Sequence, residues 1–225
     1  MTFSISGRCG RTGMFGIAIT TSSVCVASRC PHARAGVGAV STQNVTDPSI
    51  GPRTLDAMAA GKSAPEALAA VLKASSFTEY RQVAVIDREG RTATHSGTKT
   101  LGTNAVAEGR DCVAAGNLLA NDGVPRAMVR TFEANPRLHL GERLLLALEE
   151  GVVAGGEIGP VKSCGLLVVD RHSWPLIDLR VDWHDEAPIA ELRRVWEIYR
   201  PQMEAYTLRA IDPGSAPSYN VPGDL

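Results

Sequence analysis

Short apolar, β-branched runs alternate with glycine-rich turns at the start of the chain. Two such runs, residues 2–9 and 14–21, flank residues 10–13, whose composition (Gly-Arg-Thr-Gly) is typical of a tight hairpin connection. A third run covers residues 36–43 and carries glycines where a neighbouring strand can approach closely. The pattern therefore predicts antiparallel strands in the N-terminal part of the chain.

Helical periodicity begins near residue 50 and alternates with further strand patterns. It predicts helices at 50–61, 65–74, 123–134, 139–154 and 188–203, and strands at 81–87, 91–96, 112–116, 163–170 and 175–182. Ser63 and Pro65 mark the beginning of the second helix, as N-cap and as a residue of the first turn. We interpret residues 97–112 as a polar, glycine-rich loop.

The order of these elements indicates the architecture. Hairpins outnumber strand–helix–strand units, so mostly antiparallel sheets are expected. Two sheets packed face to face, with helices over their outer faces, would bury the apolar positions. We predict an α+β fold, a four-layer αββα sandwich over residues 1–208, followed by an irregular C-terminal tail at 209–225.

Charge and cysteine content narrow the classes of function. The 225 residues include 23 Lys and Arg against 24 Asp and Glu, and this balance disfavours a nucleic-acid partner. No apolar run reaches the ~18–20 residues of a membrane span, and the N-terminus lacks the pattern of a secretory signal. The five irregularly spaced cysteines suggest free thiols in a reducing cytoplasm, with no metal site. No cofactor is expected, because residues 36–38 lack the third glycine and the following helix of a dinucleotide fingerprint.

Thr2 is the first candidate for catalysis. Methionine aminopeptidase removes an initiator methionine when the next residue is small, and this would give Thr2 a free α-amine beside its hydroxyl. An α-amine titrates near ~8 and can act as the general base for its own side chain. Threonine at this position is also a common first residue of a strand, so position alone does not separate the two interpretations.

Six segments carry a resemblance to a known family: residues 2–5 (TFSI), 31–43 (PHARAGVGAVSTQ), 48–53 (PSIGPR), 95–97 (HSG), 115–119 (AGNLL) and 178–182 (DLRVD). Together they resemble the DUF1028 family, an uncharacterised group placed among the Ntn-hydrolase-like proteins. The segments extend over most of residues 1–205, and the string ARAGVGAV followed by Thr42 and Gln43 is the most specific. The resemblance implies the αββα fold and an Ntn nucleophile position for Thr2. It implies no particular substrate.

Polar residues at other strand ends are candidates to assist Thr2. Asn117, preceded by Gly116, could donate a hydrogen bond to a developing oxyanion, and so could the amides or hydroxyls of Ser22 and Ser23. Proteasome-like relatives carry an acid near the end of the corresponding strand, where this chain has hydroxyls. The proton relay is therefore left open.

A further group of residues could bind the substrate or replace Thr2. His95 could act as a base or contact the substrate, and Arg34 could lower the pKa of the amine or bind a carboxylate. Gln43 and Asn44 could hydrogen-bond an amide, and His32 could line the same edge. Structural alternatives are a satisfied structural histidine for His95, a surface or interface salt bridge for Arg34, and turn formation for Gln43 and Asn44.

The leading hypothesis is a cytoplasmic amidohydrolase that cleaves the C–N bond of a small amide, one that can carry a carboxylate. Thr2 attacks, its own amine acts as base, and Asn117 holds the oxyanion. A second hypothesis keeps the fold but uses an internal or water nucleophile, with His95 and Arg34. A third is a non-catalytic protein that binds a small ligand or serves in an assembly.

Charged residues of opposite sign alternate on one predicted strand, and this pattern is relevant to whether copies of the chain associate. Asp178, Arg180 and Asp182 lie two residues apart and therefore share a face. Such a ladder is typical of a solvated edge or of a dimer contact. Together with the long apolar helices, it leads us to predict a homo-oligomer, a dimer or larger.

Overall fold

Two antiparallel sheets form the centre of the molecule, described here for residues 2–219 by a computed structural model. The strands are β1 (Thr2–Arg8), β2 (Phe15–Thr21), β3 (Pro31–Arg34), β4 (Gly38–Asn44), β5 (Arg81–Asp87), β6 (Thr92–Ser96), β7 (Ala105–Gly109), β8 (Cys112–Asn117), β9 (Ser163–Val169) and β10 (Ile177–Val181). The first sheet has the order β10-β9-β2-β1-β8-β7, and the second has the order β3-β4-β5-β6. The predicted antiparallel arrangement is confirmed.

Helices pack against these sheets. They are α1 (Ile50–Ala59), α2 (Ala64–Lys73), α3 (Val124–Ala134), α4 (Leu140–Val153), α5 (Pro188–Tyr199) and α6 (Met203–Ile211). The N-cap predicted for α2 is confirmed, because Ser63 and Glu66 form a reciprocal capping box. Among residues 2–219, no helix has both the length and the apolar character needed to cross a bilayer.

Alternation along β1 divides its side chains between two faces. Phe3 and Ile5 pack with residues of α3 and α4 in one buried cluster, which also includes Trp196 of α5. Ser4, on the opposite face, reaches the second sheet by hydrogen bonds to Ser41 and Gln43. The strand therefore carries apolar side chains towards the helices and hydroxyls towards the second sheet.

Two further apolar clusters flank the second sheet. Ile17 and Ile19 of β2 pack with Ala84 and Ile86 of β5, in the space between the sheets. On the other face of β5, Val83 and its neighbours pack against α1 and α2. Buried apolar layers thus lie outside the first sheet, between the sheets and outside the second sheet.

The predictions missed two short edge strands. Residues 31–34 form β3, four residues that begin with a proline, and residues 105–109 form β7, in a segment that we interpreted as loop. Both lie at sheet edges, and β7 is rich in alanine, glutamate and glycine, which have weak strand propensity. Short edge strands of this kind give little periodic signal.

The C-terminal prediction also needs correction. The helix predicted over 188–203 ends at Tyr199 and is followed by a 3₁₀ turn, Arg200–Gln202, because Pro201 lacks an N–H and restricts the residue before it. Helix α6 then continues to Ile211, inside the predicted tail. Met1 and the tail residues 220–225 lie outside the described residues.

The edge strand β10 carries the predicted charge ladder. Asp178 and Arg180 form a bidentate ion pair on the same strand, with nitrogen–oxygen distances of 2.7 and 2.8 Å. Both side chains are partly exposed. The ladder therefore includes an ion pair at the edge of the first sheet.

Candidate functional site

Thr2 begins the central strand of the first sheet. It lies opposite Thr21 of β2 on one side and opposite Asn117 of β8 on the other. Only 5% of Thr2 is exposed, and its Oγ1 lies 3.2 Å from Oγ1 of Thr21. Thr2 and Ser4 share a strand face, so the Thr2 hydroxyl is on the side of the second sheet.

A buried hydrogen-bond network links this strand end to the second sheet. Ser4 Oγ donates to Gln43 Oε1 at 2.7 Å, and Gln43 Nε2 donates to Gln82 Oε1 at 2.8 Å. Asn117 Nδ2 donates to the same Gln82 oxygen at 3.0 Å. All four residues are almost completely buried. Paired polar groups in such surroundings hold one arrangement, because each lost bond would leave a buried group unsatisfied.

The network fixes the orientation of the Asn117 amide. Gln82 Nε2 donates to the carbonyl of Gly116 at 3.0 Å and to Ser96 Oγ at 3.1 Å, so Gln82 Oε1 must be the acceptor. Asn117 therefore presents Nδ2 to Gln82. Its Oδ1 is buried and makes no hydrogen bond within the described chain. The free oxygen of Asn117 is an acceptor, and one remaining Nδ2 hydrogen can still serve an oxyanion.

Glu157 reaches the same region from a distant part of the chain. Gly155 and Gly156, with φ of +124° and +59°, turn the backbone at the end of α4. Glu157 then forms an isolated antiparallel bridge with Leu119, and Ile158 N donates to the Leu118 carbonyl at 3.1 Å. The turn thus carries Glu157 to the segment that follows Asn117.

The Glu157 carboxylate is buried near Ser22. The residue is 7% exposed, and within the described chain neither carboxylate oxygen makes a hydrogen bond of acceptable geometry. Burial raises the pKa of Glu157 to about 7, against a smaller lowering by the nearby hydroxyl and backbone N–H of Ser22. A carboxyl group with this pKa exchanges its proton near neutral pH, which is typical of functional sites.

Glu157 lies between the two strand ends that flank Thr2. Ser22 follows Thr21 on one side, and Leu119 lies two residues beyond Asn117 on the other. Glu157 is not among the residues predicted from the sequence, which has hydroxyls and no acid at the strand end near Ser22. Glu157 belongs to a different part of the chain, and the glycine pair before it is the local sign of the turn.

Four of the predicted site residues lie together, and a fifth lies next to them. Thr2, Asn117 and Gln43 belong to the buried cluster, and Ser22 adjoins Glu157. Asn44 has a left-handed backbone, with φ of +75°, and its side chain bonds the carbonyl of Tyr80 and the amide of Leu101. Asn44 therefore holds neighbouring loops, which matches its structural alternative.

The structure does not bring His95 to Thr2. His95 pairs with Val83 in the β5–β6 register, so it faces the side of α1 and α2, away from Gln82. Its Nε2 lies 2.9 Å from the carbonyl oxygen of Thr78. The expectation of a place beside Thr2 is corrected, because neighbouring residues on a strand face opposite sides.

Arg34 and His32 are also outside the cluster. Arg34 lies opposite Gly38, at the end of β4 distant from Gln43, and its Nη2 pairs with Asp56 Oδ1 at 2.7 Å on the surface. The His32 ring packs against Gly51, and burial lowers its pKa. Arg34 thus forms the surface ion pair given as its alternative, and His32 packs against the beginning of α1.

The structure offers no cluster of metal ligands within residues 2–219, taking groups of three or more His, Cys, Asp or Glu. All five cysteines are free thiols. Cys164 is fully buried, and burial raises the pKa of its thiol, as expected of a core residue.

The chain matches one family model, and its fold is similar to that of a solved structure. A family model described as a family of unknown function (DUF1028) matches residues 2–192. The crystal structure of protein SPO2555 from Silicibacter pomeroyi, described as a DUF1028 protein, is similar with a TM-score of 0.81 and 28% identity, over 88% of each chain. Anbu (ancestral beta-subunit) from Yersinia bercovieri gives a TM-score of 0.43 and 9% identity, over 90% of this chain and 96% of that one. No curated protein matches.

Proposed function

This chain belongs to the DUF1028 family of unknown function, and we propose that it is an N-terminal-nucleophile hydrolase cleaving the C–N bond of a small amide. One observation carries the proposal. Thr2 begins a central strand inside a buried polar cluster, in which Asn117 lies opposite Thr2 and Glu157 lies near Ser22, and within residues 2–219 both have an acceptor without a hydrogen bond of acceptable geometry. Buried polar groups without hydrogen-bond partners are rare in folded proteins. Two unsatisfied acceptors close to one strand end therefore indicate a site where a hydrogen-bond donor binds.

The proposal includes the four-layer αββα architecture. Its support is the set of three apolar clusters, outside the first sheet, between the sheets and outside the second sheet. In that architecture the nucleophile begins a central strand and faces the opposite sheet. The position of Thr2 on β1 agrees with this requirement.

Thr2 performs both steps of the proposed reaction, once the residue before it has been removed. Its Oγ1 attacks the amide carbonyl carbon while its α-amine accepts the hydroxyl proton. The tetrahedral intermediate expels the amine, which takes that proton, and an acyl ester remains on Thr2. Water, deprotonated by the same α-amine, then attacks the ester carbonyl, and the acid is released as the bond to Oγ1 breaks and the α-amine returns the proton to Thr2 Oγ1. The balance is one amide and one water converted to one acid and one amine.

Asn117 and Glu157 support the α-amine in this proposal. An ammonium group has three N–H donors, and Asn117 Oδ1 and the Glu157 carboxylate are acceptors near this strand end that receive no hydrogen bond of acceptable geometry within residues 2–219. An unsatisfied buried acceptor costs about 1–3 kcal/mol, which hydrogen bonds from the amine would recover. Glu157 is therefore a positioning residue, and its negative charge favours the protonated amine. The second Nδ2 hydrogen of Asn117 can donate to the oxyanion.

Small amides offer a direct test. The intact mass of untagged protein shows whether Thr2 is the N-terminal residue, and a panel of small amides, including carboxylate-bearing ones, is then screened for release of amine. We expect Thr2→Ala to lose all turnover and Thr2→Ser to keep part of it. His95→Ala is the matched control and keeps wild-type turnover, because His95 faces the other side of its sheet.

Two outcomes would contradict the proposal. Turnover by protein that retains Met1 would exclude an N-terminal amine as the base. A ligand-dependent rise in melting temperature without turnover across the panel would favour the non-catalytic alternative. The proposal also includes a cytoplasmic location, a small-molecule substrate and a homo-oligomer, and light scattering of the purified protein tests the last.

A further inference from the structure

A polar cavity lies at the end of β1 opposite to Thr2. It has a volume of about 410 Å³ and is lined by Cys9, Gly10, Arg11, Arg110, Asp111, Glu133, Pro136 and Arg143. Cys9 lies seven positions after Thr2, and at ~3.3 Å per residue the two positions are roughly 23 Å apart along the chain. The cavity is therefore separate from the cluster around Thr2.

Arg143 is the most buried charged group of this cavity. It is 6% exposed, and its guanidinium lies 3.8 Å from the centre of the Phe132 ring. Its Nε and Nη2 donate to the Phe132 carbonyl, whereas Nη1 makes no hydrogen bond within residues 2–219. No carboxylate of the described chain pairs with it. Burial removes hydration from this guanidinium and lowers its pKa, and the charge of Asp111 offsets that effect only in part.

The carboxylates that line the cavity are engaged elsewhere. Asp111 forms an ion pair with Arg8 at 2.7 Å. Glu133 Oε1 accepts a hydrogen bond from the backbone N–H of Arg110 at 2.7 Å. The exposed guanidinium groups of Arg11 and Arg110 have no ion pair within the described chain. Positive charge therefore exceeds negative charge around the cavity.

We propose that this cavity binds a small, multiply charged oxyanion, of the phosphate or dicarboxylate class. Arg143 forms the buried part of the site, and Arg11 and Arg110 close over the anion from the surface. A guanidinium presents several N–H donors in a plane, a geometry that fits the oxygens of phosphate and of carboxylate. Such an anion would supply both the counter-charge of Arg143 and the acceptor that its Nη1 lacks.

Binding to the full-length protein can be measured by calorimetry and by thermal unfolding. The titrants are inorganic phosphate and succinate, each compared with sodium chloride at the same ionic strength. We expect saturable binding of at least one and a matching rise in melting temperature. Saturation by phosphate alone indicates a phosphorylated ligand, and saturation by succinate alone indicates a dicarboxylate. Both results support the proposal.

Variants locate the site. Arg11→Gln and Arg110→Gln change exposed side chains and should fold, and each is expected to weaken binding about tenfold. Arg143→Gln should abolish binding, although the loss of its bonds to Phe132 can also lower stability. Arg126→Gln removes an exposed charge of α3 outside the cavity and is expected to bind as the wild type does. The proposal is overturned if neither anion binds saturably at about 10 mM, or if Arg11→Gln and Arg110→Gln bind like Arg126→Gln.

Discussion

Asn117 Nδ2 and Gln82 Oε1 form a 3.0 Å hydrogen bond that joins the first sheet to the second beside Thr2. The two residues are 35 positions apart in the sequence. The same Gln82 oxygen accepts from Gln43, so one side chain sets the amide orientation of two others. The geometry next to Thr2 therefore depends on the alignment of the two sheets.

Replacing Gln82 tests this dependence. Gln82→Leu keeps a similar volume but leaves the buried amides of Gln43 and Asn117 without their acceptor. We expect the free energy of unfolding to fall by about 3 kcal/mol, because each unsatisfied buried group costs about 1–3 kcal/mol. Urea unfolding measures the change, and the exposed Gln202→Leu is the control. A stability equal to that of the control would show that the network contributes little.

Glu157 should make stability depend on pH. Its pKa is about 7 in the folded chain against an ordinary value of 4.5, so the folded state holds the proton more tightly. The stabilisation is complete below pH 4.5 and is lost as the pH rises through 7. The loss amounts to about 3 kcal/mol, since one pKa unit corresponds to about 1.4 kcal/mol.

The measurement is urea unfolding of wild type and Glu157→Gln between pH 5 and pH 8. The variant carries no titrating group at this position, so this part of the pH dependence should disappear and the variant should be the more stable protein at pH 8. Glu197→Gln, an exposed glutamate of α5, should keep the wild-type profile. Parallel profiles for wild type and Glu157→Gln would contradict the raised pKa.

Gly7 shows how closely α3 approaches the first sheet. A Cβ at this position would lie 2.7 Å from two ring carbons of Phe132, which is fully buried. We expect Gly7→Ala to lower the free energy of unfolding by about 1–3 kcal/mol, because the ring must move in a packed core. Gly214→Ala, where the nearest atom would be 3.8 Å away, is the control in thermal unfolding. Equal melting temperatures would mean that the core adjusts without cost.

The capping box of α2 gives a smaller expected effect. Ser63 Oγ accepts from the backbone N–H of Glu66, and Ser63 N donates to the Glu66 carboxylate at 2.8 Å. Ser63→Ala should therefore cost about 1 kcal/mol of stability, whereas Ser63→Asp should cost little, since aspartate is an equally good N-cap. Chemical denaturation of the two variants makes the comparison, and equal losses would argue against a capping role.

Part of the site could be predicted because it follows from strand ends. Thr2, Gln43 and Asn117 each lie at the end of a strand with a clear apolar pattern, and antiparallel pairing brings such ends together. His95 also lies near a strand end, but it faces outward. The side of the sheet that His95 faces could be predicted only if buried and exposed residues alternated along β6. They do not, because the residues of β6 are partly or fully exposed on both faces.

Glu157 could not be predicted for a different reason. It reaches the segment that follows Asn117 through a turn with positive φ at Gly155 and Gly156 and through one isolated bridge. Neither feature has a periodic signal, and the pairing joins Leu119 to a residue 38 positions later. The raised pKa likewise arises from burial, which no local pattern of residues 155–158 reveals.

The charge pair on β10 limits how molecules of this protein can associate. An edge strand offers unpaired backbone groups to which a strand from another molecule can add. Asp178 and Arg180 place fixed charges along that edge, and an incoming apolar strand would have to strip water from both. Growth of the first sheet from one molecule into the next is thereby opposed, and an orderly homo-oligomer would have to form through other surfaces.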